Sequence, residues 1–307
     1  MARRQVPDYQ KPIGPFGGAY LLLALGFLVG PFLPLLIQSL AFNWVWPDLL
    51  PSEWWFTARQ RARLPQGWDY VVSPYSRVGE ALLNTVSIGL ATSMLCLAIC
   101  LPAARVLGRH DFGGKRLLEL YLALPLILPE AVIGIALSMM FIRLGLAGTH
   151  AGIVLVHLIP TMPYVMRMLV AGFQGLDREV EEQARVLGAS NWQVTRLITL
   201  PMILPTAMAA MLFAFLVSTN LFLLTFLMGQ GKVVTLPTLL FSKLSGGALD
   251  PTAAGIALVA AMPGVAVLLL LDRFAGPSPS RDHASQVTAP VVERISVRPN
   301  RRTQSSA

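Results

Sequence analysis

The residues with the most chemical capacity lie together in an apolar chain that is only 13% charged. They are four acids within six positions: Asp177, Glu179, Glu181 and Glu182. The other parts of a catalytic site are missing, because the sequence has four histidines, no H-E-x-x-H motif and no spaced Cys/His cluster. We predict that the chain is not an enzyme by itself and holds no metal or cofactor.

A nucleotide site is also incomplete. The glycines before Lys115 resemble the end of a phosphate-binding loop, but Arg109 stands where the first glycine of that loop belongs. Arg116 stands where a serine or threonine would hold magnesium. The sequence therefore predicts no nucleotide-binding site on this chain.

The acids instead fit the beginning of a short helix. Asp177 can cap it, and Glu179 lies in the first turn, where acids stabilise the positive end of the helix dipole. Gly188 follows the last apolar position, as a left-handed helix stop requires. Residues 190–193 have the spacing of a capping box, which predicts a second helix that runs toward Pro201.

This helix-turn-helix is suited to bind another protein. Val180, Ala184 and Leu187 share one face of the first helix, beside an acidic flank. An apolar helix stripe that fills a groove is a common mode of recognition. The alternative is an amphipathic loop that rests on lipid headgroups, but four acids suit an anionic inner leaflet poorly. We favour docking to a partner.

The remaining sequence indicates an all-α, polytopic membrane helix bundle. Of 307 residues, 54% are hydrophobic, and the mean hydropathy is +0.61. A helix needs roughly 20 apolar residues to cross a bilayer, whereas a barrel strand needs only about ten alternating ones. Six segments are long enough for helices: 17–41, 81–104, 117–142, 151–174, 202–228 and 252–271.

Basic residues predict the orientation of these spans. With the N-terminus inside, sixteen lysines and arginines lie on the cytoplasmic side and seven on the opposite side. This topological explanation makes nucleic-acid binding unnecessary, and we predict no nucleic-acid partner. The predicted organisation is a cytoplasmic segment 1–16, a first transmembrane helix 17–41, an external tryptophan-rich loop 42–80, a core 81–272 and a disordered cytoplasmic tail 273–307.

Three polar residues are candidates for a solute pathway. Glu130 lies about halfway along the third segment, where an ionised side chain is costly and often functional. A structural pair with His157 or Arg167 is an equal possibility. Ser218 and Asn220 could bind solute from the fifth segment, or could join helices by hydrogen bonds.

The loop over 175–201 also carries a recognisable signature. Glu182, Ala184 and Gly188 are followed after nine residues by Ile198-Thr199-Leu200-Pro201, which matches the pattern E-x-A-x3-G-x9-I-x-L-P. The chain thereby resembles permease subunits of binding-protein-dependent ABC importers. The resemblance extends over residues 80–272 and includes "LPAARVLGR" at 101–109.

This resemblance implies a type I, MetI-like permease fold and a division of labour between subunits. Glu182 through Gly188 would form a coupling helix in a groove of a cytoplasmic ATPase dimer, which would bind ATP and magnesium, and Glu181 would belong to the same coupling site. Ile198 to Pro201 would connect that helix to the fifth span. The implied assembly is a second permease subunit, identical or homologous, and a periplasmic or surface solute-binding protein, in the lipids of a bacterial inner membrane.

Within the family, residues 215–229 and 235–241 look most like the polyamine, opine, phosphonate and ferric-iron branch. Asn220 and Leu221 stand where polyamine-type relatives often have acids, which disfavours a polycation. The alternative from another class is an ion- or proton-coupled secondary transporter. It would need intramembrane acids and inverted repeats, and Glu130 alone supplies little of that.

Overall fold

The computed structural model describes residues 14–44, 47–58, 65–247 and 250–274. The tail predicted over 273–307 and the segment predicted over 1–16 lie almost entirely outside these residues. The chain divides into two compact units, residues 1–267 and residues 268–307. Of the second unit, only the last turns of one helix, up to residue 274, are described.

Helices account for most of the described chain. In order they are α1 Pro15–Val29, α2 Phe32–Leu40, α3 Trp55–Ala58, α4 Trp68–Val72, α5 Val78–Arg109, α6 Lys115–Ala123, α7 Glu130–Arg143, α8 His150–Gly175, α9 Arg178–Val186, α10 Asn191–Val194, α11 Leu200–Asn220, α12 Phe222–Gly229, α13 Leu236–Ser245 and α14 Pro251–Phe274. Two 3-10 turns lie at Pro74–Ser76 and Leu124–Leu126, and a π-helical segment lies at Thr195–Thr199.

The described residues contain four helices that are long and apolar enough to cross a membrane, or up to six if each of two bent pairs is one span. The predicted all-α bundle of about six spans is therefore confirmed. The four single spans are α5, α8, the continuous helix 191–220 and α14.

Two segments that the sequence treats as single helices are bent. α1 and α2 meet at 45°, where Gly30-Pro31 interrupts the segment predicted over 17–41. The segment predicted over 117–142 turns through 92° around Pro129. Proline cannot donate the helical hydrogen bond and its ring clashes with the preceding turn, so a proline inside a helix kinks or breaks it, depending on the surrounding packing. The fifth segment also differs, because Leu221 leaves the helical conformation between α11 and α12.

The outer loop has its own structure. β1 (Ala41–Asn43) and β2 (Glu53–Trp54) form a two-stranded antiparallel sheet in which Ala41 faces Trp54. Val71 of α4 joins a buried cluster with α5, α13 and α14. The outer loop is therefore anchored to these three helices through α4.

The centre of the bundle is formed by α5, α8 and α11. Their buried side chains make one apolar cluster, which includes Leu107, Leu169, Phe173 and Ile203. Gly108 allows a close approach of α5 and α8, since a Cβ there would lie 2.8 Å from the Cβ of Phe173. Small residues allow membrane helices to pack this closely. The contact places Arg109, the last residue of α5, directly beside the end of α8.

Candidate functional site

The helix-turn-helix predicted between α8 and α11 is present, and its local signals act as expected. The Asp177 side chain accepts a hydrogen bond of 2.9 Å from the Glu179 backbone N–H and caps α9. Gly188 has a φ of +91°, in the left-handed region, immediately after the helix. The backbone N–H of Ser190 donates to Gln193 Oε1 at 2.8 Å, and the Gln193 N–H donates to Ser190 Oγ at 3.3 Å. The capping box is thus complete.

The inward side of α9 carries a buried ion pair. Arg109 Nη2 donates to Glu181 Oε1 at 3.1 Å, and the two side chains are only 8% and 10% exposed. Thr199 Oγ1 donates to the same oxygen at 2.9 Å, while Arg185 lies 3.7 Å from the other oxygen of Glu181. We name Arg109, Glu181 and Thr199 the coupling clamp, because they join α5, α9 and the π-helical segment.

The clamp changes the interpretation of Glu181. The sequence placed this acid on a flank exposed to a partner, but its carboxylate is buried against the chain's own arginine. A role of Glu181 in ATPase coupling stays a prediction. In that role Glu181 would act through its ion pair with Arg109. Periodicity along α9 could not identify Arg109, which is 72 residues away in sequence. The only sequence signal was its position at the end of "LPAARVLGR".

The outward side of the loop is apolar. Val186 and Leu187 are 87% and 88% exposed, and Trp192 on α10 is 69% exposed. Glu182 is exposed and Ala184 is half-buried. Large apolar side chains next to one another on a polar loop mark an interaction surface. The loop therefore has an anchored inner side and an apolar outer side.

The junction with α11 is not a regular helix. Thr195–Thr199 forms a π-helical turn, an arrangement found most often at functional sites. Ile198 is half-buried within it and Pro201 is exposed in the first turn of α11. Arg105 Nη1 donates to Thr195 Oγ1 at 2.9 Å, which holds the turn against α5 a second time. Displacement of α9 would therefore be transmitted to both α5 and α11.

Two of the three pathway candidates, Ser218 and Asn220, have different environments. Ser218 is buried and lies 2.9 Å from His157 Nδ1, while His157 Nε2 lies 2.9 Å from Thr225 Oγ1. This favours the helix-joining role for Ser218. Asn220 is exposed, and its Nδ2 donates to the backbone carbonyl of its own helix at Leu216.

The sequence predicted that Glu130 lies in the middle of a continuous span, and this prediction is wrong. Glu130 is the exposed first residue of α7, at the 92° bend, because Pro129 ends the preceding segment. Among the described residues it forms no ion pair with His157 or Arg167. A carboxylate in a first turn is stabilised by the helix dipole, which is a sufficient structural reason for an acid at this position.

A cavity lies among α5, α6 and α8. It measures about 370 Å³, and its polar lining includes Glu119, Arg167 and Gln174. Arg167 is an exposed charge inside the span α8. Ionisable residues within membrane spans are costly and usually serve ion or substrate pathways. No group of three metal-ligating side chains occurs among the described residues, and the absence of a cofactor stays a prediction.

A family model and several known proteins match this chain, and all of them are transport permeases of the same kind. The model of the family described as "Binding-protein-dependent transport system inner membrane component" matches residues 100–277. The molybdenum transport system permease protein ModB of Mycobacterium tuberculosis is 33% identical over 226 residues, which cover 69% of this chain and 83% of that protein. The molybdate/tungstate transport system permease protein WtpB of Thermococcus kodakarensis is 34% identical over 133 residues, or 43% of this chain. That alignment covers 53% of the archaeal protein, so the chain spans about half of its length.

A solved structure shares the fold. It is described as a bacterial ABC transporter involved in the import of the acidic polysaccharide alginate, with a TM-score of 0.62 and 16% identity, and the match covers 87% of this chain and 99% of that one. At this identity the likeness concerns the fold alone. The relatives above are molybdenum or tungsten permeases, so they do not support the polyamine, opine, phosphonate or ferric-iron branch. Nor do they support a secondary transporter. The chain belongs to the family of inner membrane components of binding-protein-dependent transport systems, the permease subunits of ABC importers.

Proposed function

We propose that this chain is the permease subunit through which a molybdate- or tungstate-class oxyanion crosses the inner membrane. The names of its relatives support this substrate class. Arg167 also supports it, since a cation within a span attracts an anionic solute.

The coupling clamp is the single observation that carries the mechanism. Because Glu181 is bonded to Arg109 and Thr199, α9 cannot move without moving the end of α5 or the beginning of α11. A force applied to the outer side of α9 is therefore delivered to two spans. This is the mechanical requirement for a transport subunit that has no nucleotide site of its own.

The partners follow from this mechanism. A cytoplasmic ATPase dimer, carrying ATP and magnesium, would bind the apolar outer side of the loop at Val186 and Leu187. A second permease subunit would complete the passage, and a periplasmic or surface binding protein would deliver the oxyanion. Both termini would lie in the cytoplasm, as the distribution of basic residues predicts.

The test uses the chain reconstituted with its ATPase and binding protein in vesicles. Leu187→Asp is expected to weaken ATPase binding by roughly tenfold to a hundredfold, since burial of a leucine contributes about 1.5–3 kcal/mol. Co-elution with the ATPase and molybdate-stimulated ATP hydrolysis should both fall. Leu49→Asp is the matched control, because Leu49 is 87% exposed in the outer loop.

Two results would contradict the proposal. One is normal ATPase co-elution with Leu187→Asp. The other is uptake that follows an ion gradient and ignores ATP. For the substrate, vesicles should accumulate molybdate or tungstate in preference to putrescine, and the opposite preference would reject the oxyanion assignment.

A further inference from the structure

A second cavity lies between the end of α5 and the inward side of α9. It measures about 230 Å³ and is lined by four arginines, one histidine and two glutamates: Arg105, Arg109, Arg178, Arg185, His110, Glu181 and Glu182. The four lining residues of α9 are spaced as one helical stripe, and neither Val186 nor Leu187 lines the cavity. The cavity is therefore separate from the apolar docking surface.

The residues that line this cavity carry a surplus of positive charge, although Arg178 also interacts with Asp111 outside the lining, whose carboxyl pKa is lowered mainly by Lys115 and further by Arg178. Four guanidinium groups face two carboxylates, which leaves a surplus of two positive charges. Within the described part of the chain, Arg105 and Arg178 have no carboxylate in ion-pair distance. Arg105 donates to the hydroxyl of Thr195, and Arg178 donates to the backbone carbonyl of Arg109.

Arg109 itself is only partly satisfied. Its side chain is 8% exposed, and its Nη1 and Nη2 donate to Leu176 O and Glu181 Oε1. Its Nε is buried and has no hydrogen-bond partner among the described residues. A buried, unpaired donor on a cation is costly, so a shift of the Arg109 side chain that brought Nε to an acceptor in the cavity would be stabilising.

We propose that this cavity binds a phosphate-class oxyanion that fixes α9 against α5. Guanidinium groups match the oxygens of phosphate and related anions through paired hydrogen bonds. The volume of about 230 Å³ corresponds to about eight water molecules at about 30 Å³ each, which is enough for a four-oxygen anion with part of its hydration. The anion is either the phosphate of an anionic lipid headgroup or a free oxyanion, because basic pockets at the inner end of membrane helices bind headgroups.

A carboxylate from the ATPase is a less suitable occupant. The apolar residues Val186 and Leu187, which do not line the cavity, are 87% and 88% exposed and would be the first contacts of a protein partner. This inference does not rest on the proposed transport function, because binding can be measured on the chain alone.

The test uses the full chain, purified in detergent and washed free of lipid. Inorganic phosphate and molybdate are titrated at constant ionic strength with chloride as the control anion, and amide hydrogen exchange is followed over residues 105–110 and 178–187. In parallel, the chain is placed in nanodiscs of phosphatidylcholine alone or with phosphatidylglycerol. We expect slower exchange in both segments with an oxyanion or with the anionic lipid.

Variants locate the site. Arg105→Gln with Arg178→Gln should weaken binding by roughly tenfold or more, since hydrogen bonds to charged groups are the strong ones. Arg105→Lys should retain part of the affinity, and Arg116→Gln, an exposed arginine of α6 outside the cavity, should retain all of it. The wild-type titrations decide the proposal even where a variant does not fold.

Each outcome has a defined meaning. Protection by phosphate or molybdate identifies a free oxyanion, and protection only by phosphatidylglycerol identifies a headgroup. No protection in either arm would overturn the proposal. Protection that appears only when the ATPase is added would also overturn it and would assign the cavity to an acidic protein side chain.

Discussion

Removal of Arg109 is the sharpest perturbation of the coupling clamp. Arg109→Met keeps most of the apolar stem but removes the guanidinium that pairs with Glu181 at 3.1 Å. The Glu181 carboxylate then keeps the hydroxyl of Thr199 and Arg185, whose Nη2 is 3.7 Å away. It remains an acid that is 10% exposed without its principal partner.

The magnitude follows from this burial. Loss of one partner of a buried ion pair costs about 3–5 kcal/mol, because the other charge is left uncompensated. Arg185 remains near Glu181, so we expect the lower end, about 3 kcal/mol. That corresponds to a roughly hundredfold larger population in which α9 is detached from α5.

The assay is native-state hydrogen exchange of the purified chain. Amides of α9 and of the turn at Gly188 should exchange about a hundredfold faster in Arg109→Met, whereas amides of the α5 and α8 contact at Leu169 should not change. The double change Arg109→Met with Glu181→Leu should recover most of the loss, because it removes both charges. In reconstituted vesicles, molybdate-stimulated ATP hydrolysis should become uncoupled from uptake.

The reasoning would be refuted by unchanged exchange in α9 after Arg109→Met. Additive rather than compensating effects in the double variant would also refute it, since they would show that the two side chains do not interact. Faster exchange everywhere would indicate global destabilisation and would remove the special role of the clamp.

Three further changes test other parts of the structure. Gly188→Ala should destabilise the turn by about 1–2 kcal/mol, because the φ of +91° is unfavourable for alanine, although a Cβ there would meet nothing within 4 Å. Gly188→Asn should cost less, and equal melting temperatures of all three proteins would contradict this account. His157→Leu should lower the melting temperature, because the hydroxyls of Ser218 and Thr225 lose a buried partner, and unchanged melting would show that they do not need it. Glu130→Gln should change molybdate uptake at equal expression if this acid faces the pathway, and unchanged uptake would reject that hypothesis.

Local sequence was sufficient for much of the coupling loop. The N-cap at Asp177, the left-handed stop at Gly188 and the capping box over 190–193 depend on residues within a few positions of one another, and all three are present. The number of spans and the family could also be predicted from the sequence, because hydropathy and a long signature motif do not depend on how the helices pack.

The bends within the spans could be predicted only partly from the sequence. Prolines at 125 and 129 were visible, but whether they bend a segment slightly or turn it through 92° depends on the helices that surround it. Glu130 was therefore placed in the middle of a span and lies at the beginning of a helix. The substrate branch, judged from residues 215–241, disagreed with the relatives because short apolar motifs carry little information on solute.

The residues alone determined that this chain has a short capped helix with acids, set between membrane spans, and they predict no nucleotide site. Only the tertiary structure decided which acid faces inward. Gly108 brings α5 against α8, and that close contact places Arg109 beside Glu181 and Thr199. Burial and pairing of charges depend on distances between segments far apart in sequence, so no local pattern could have assigned the clamp.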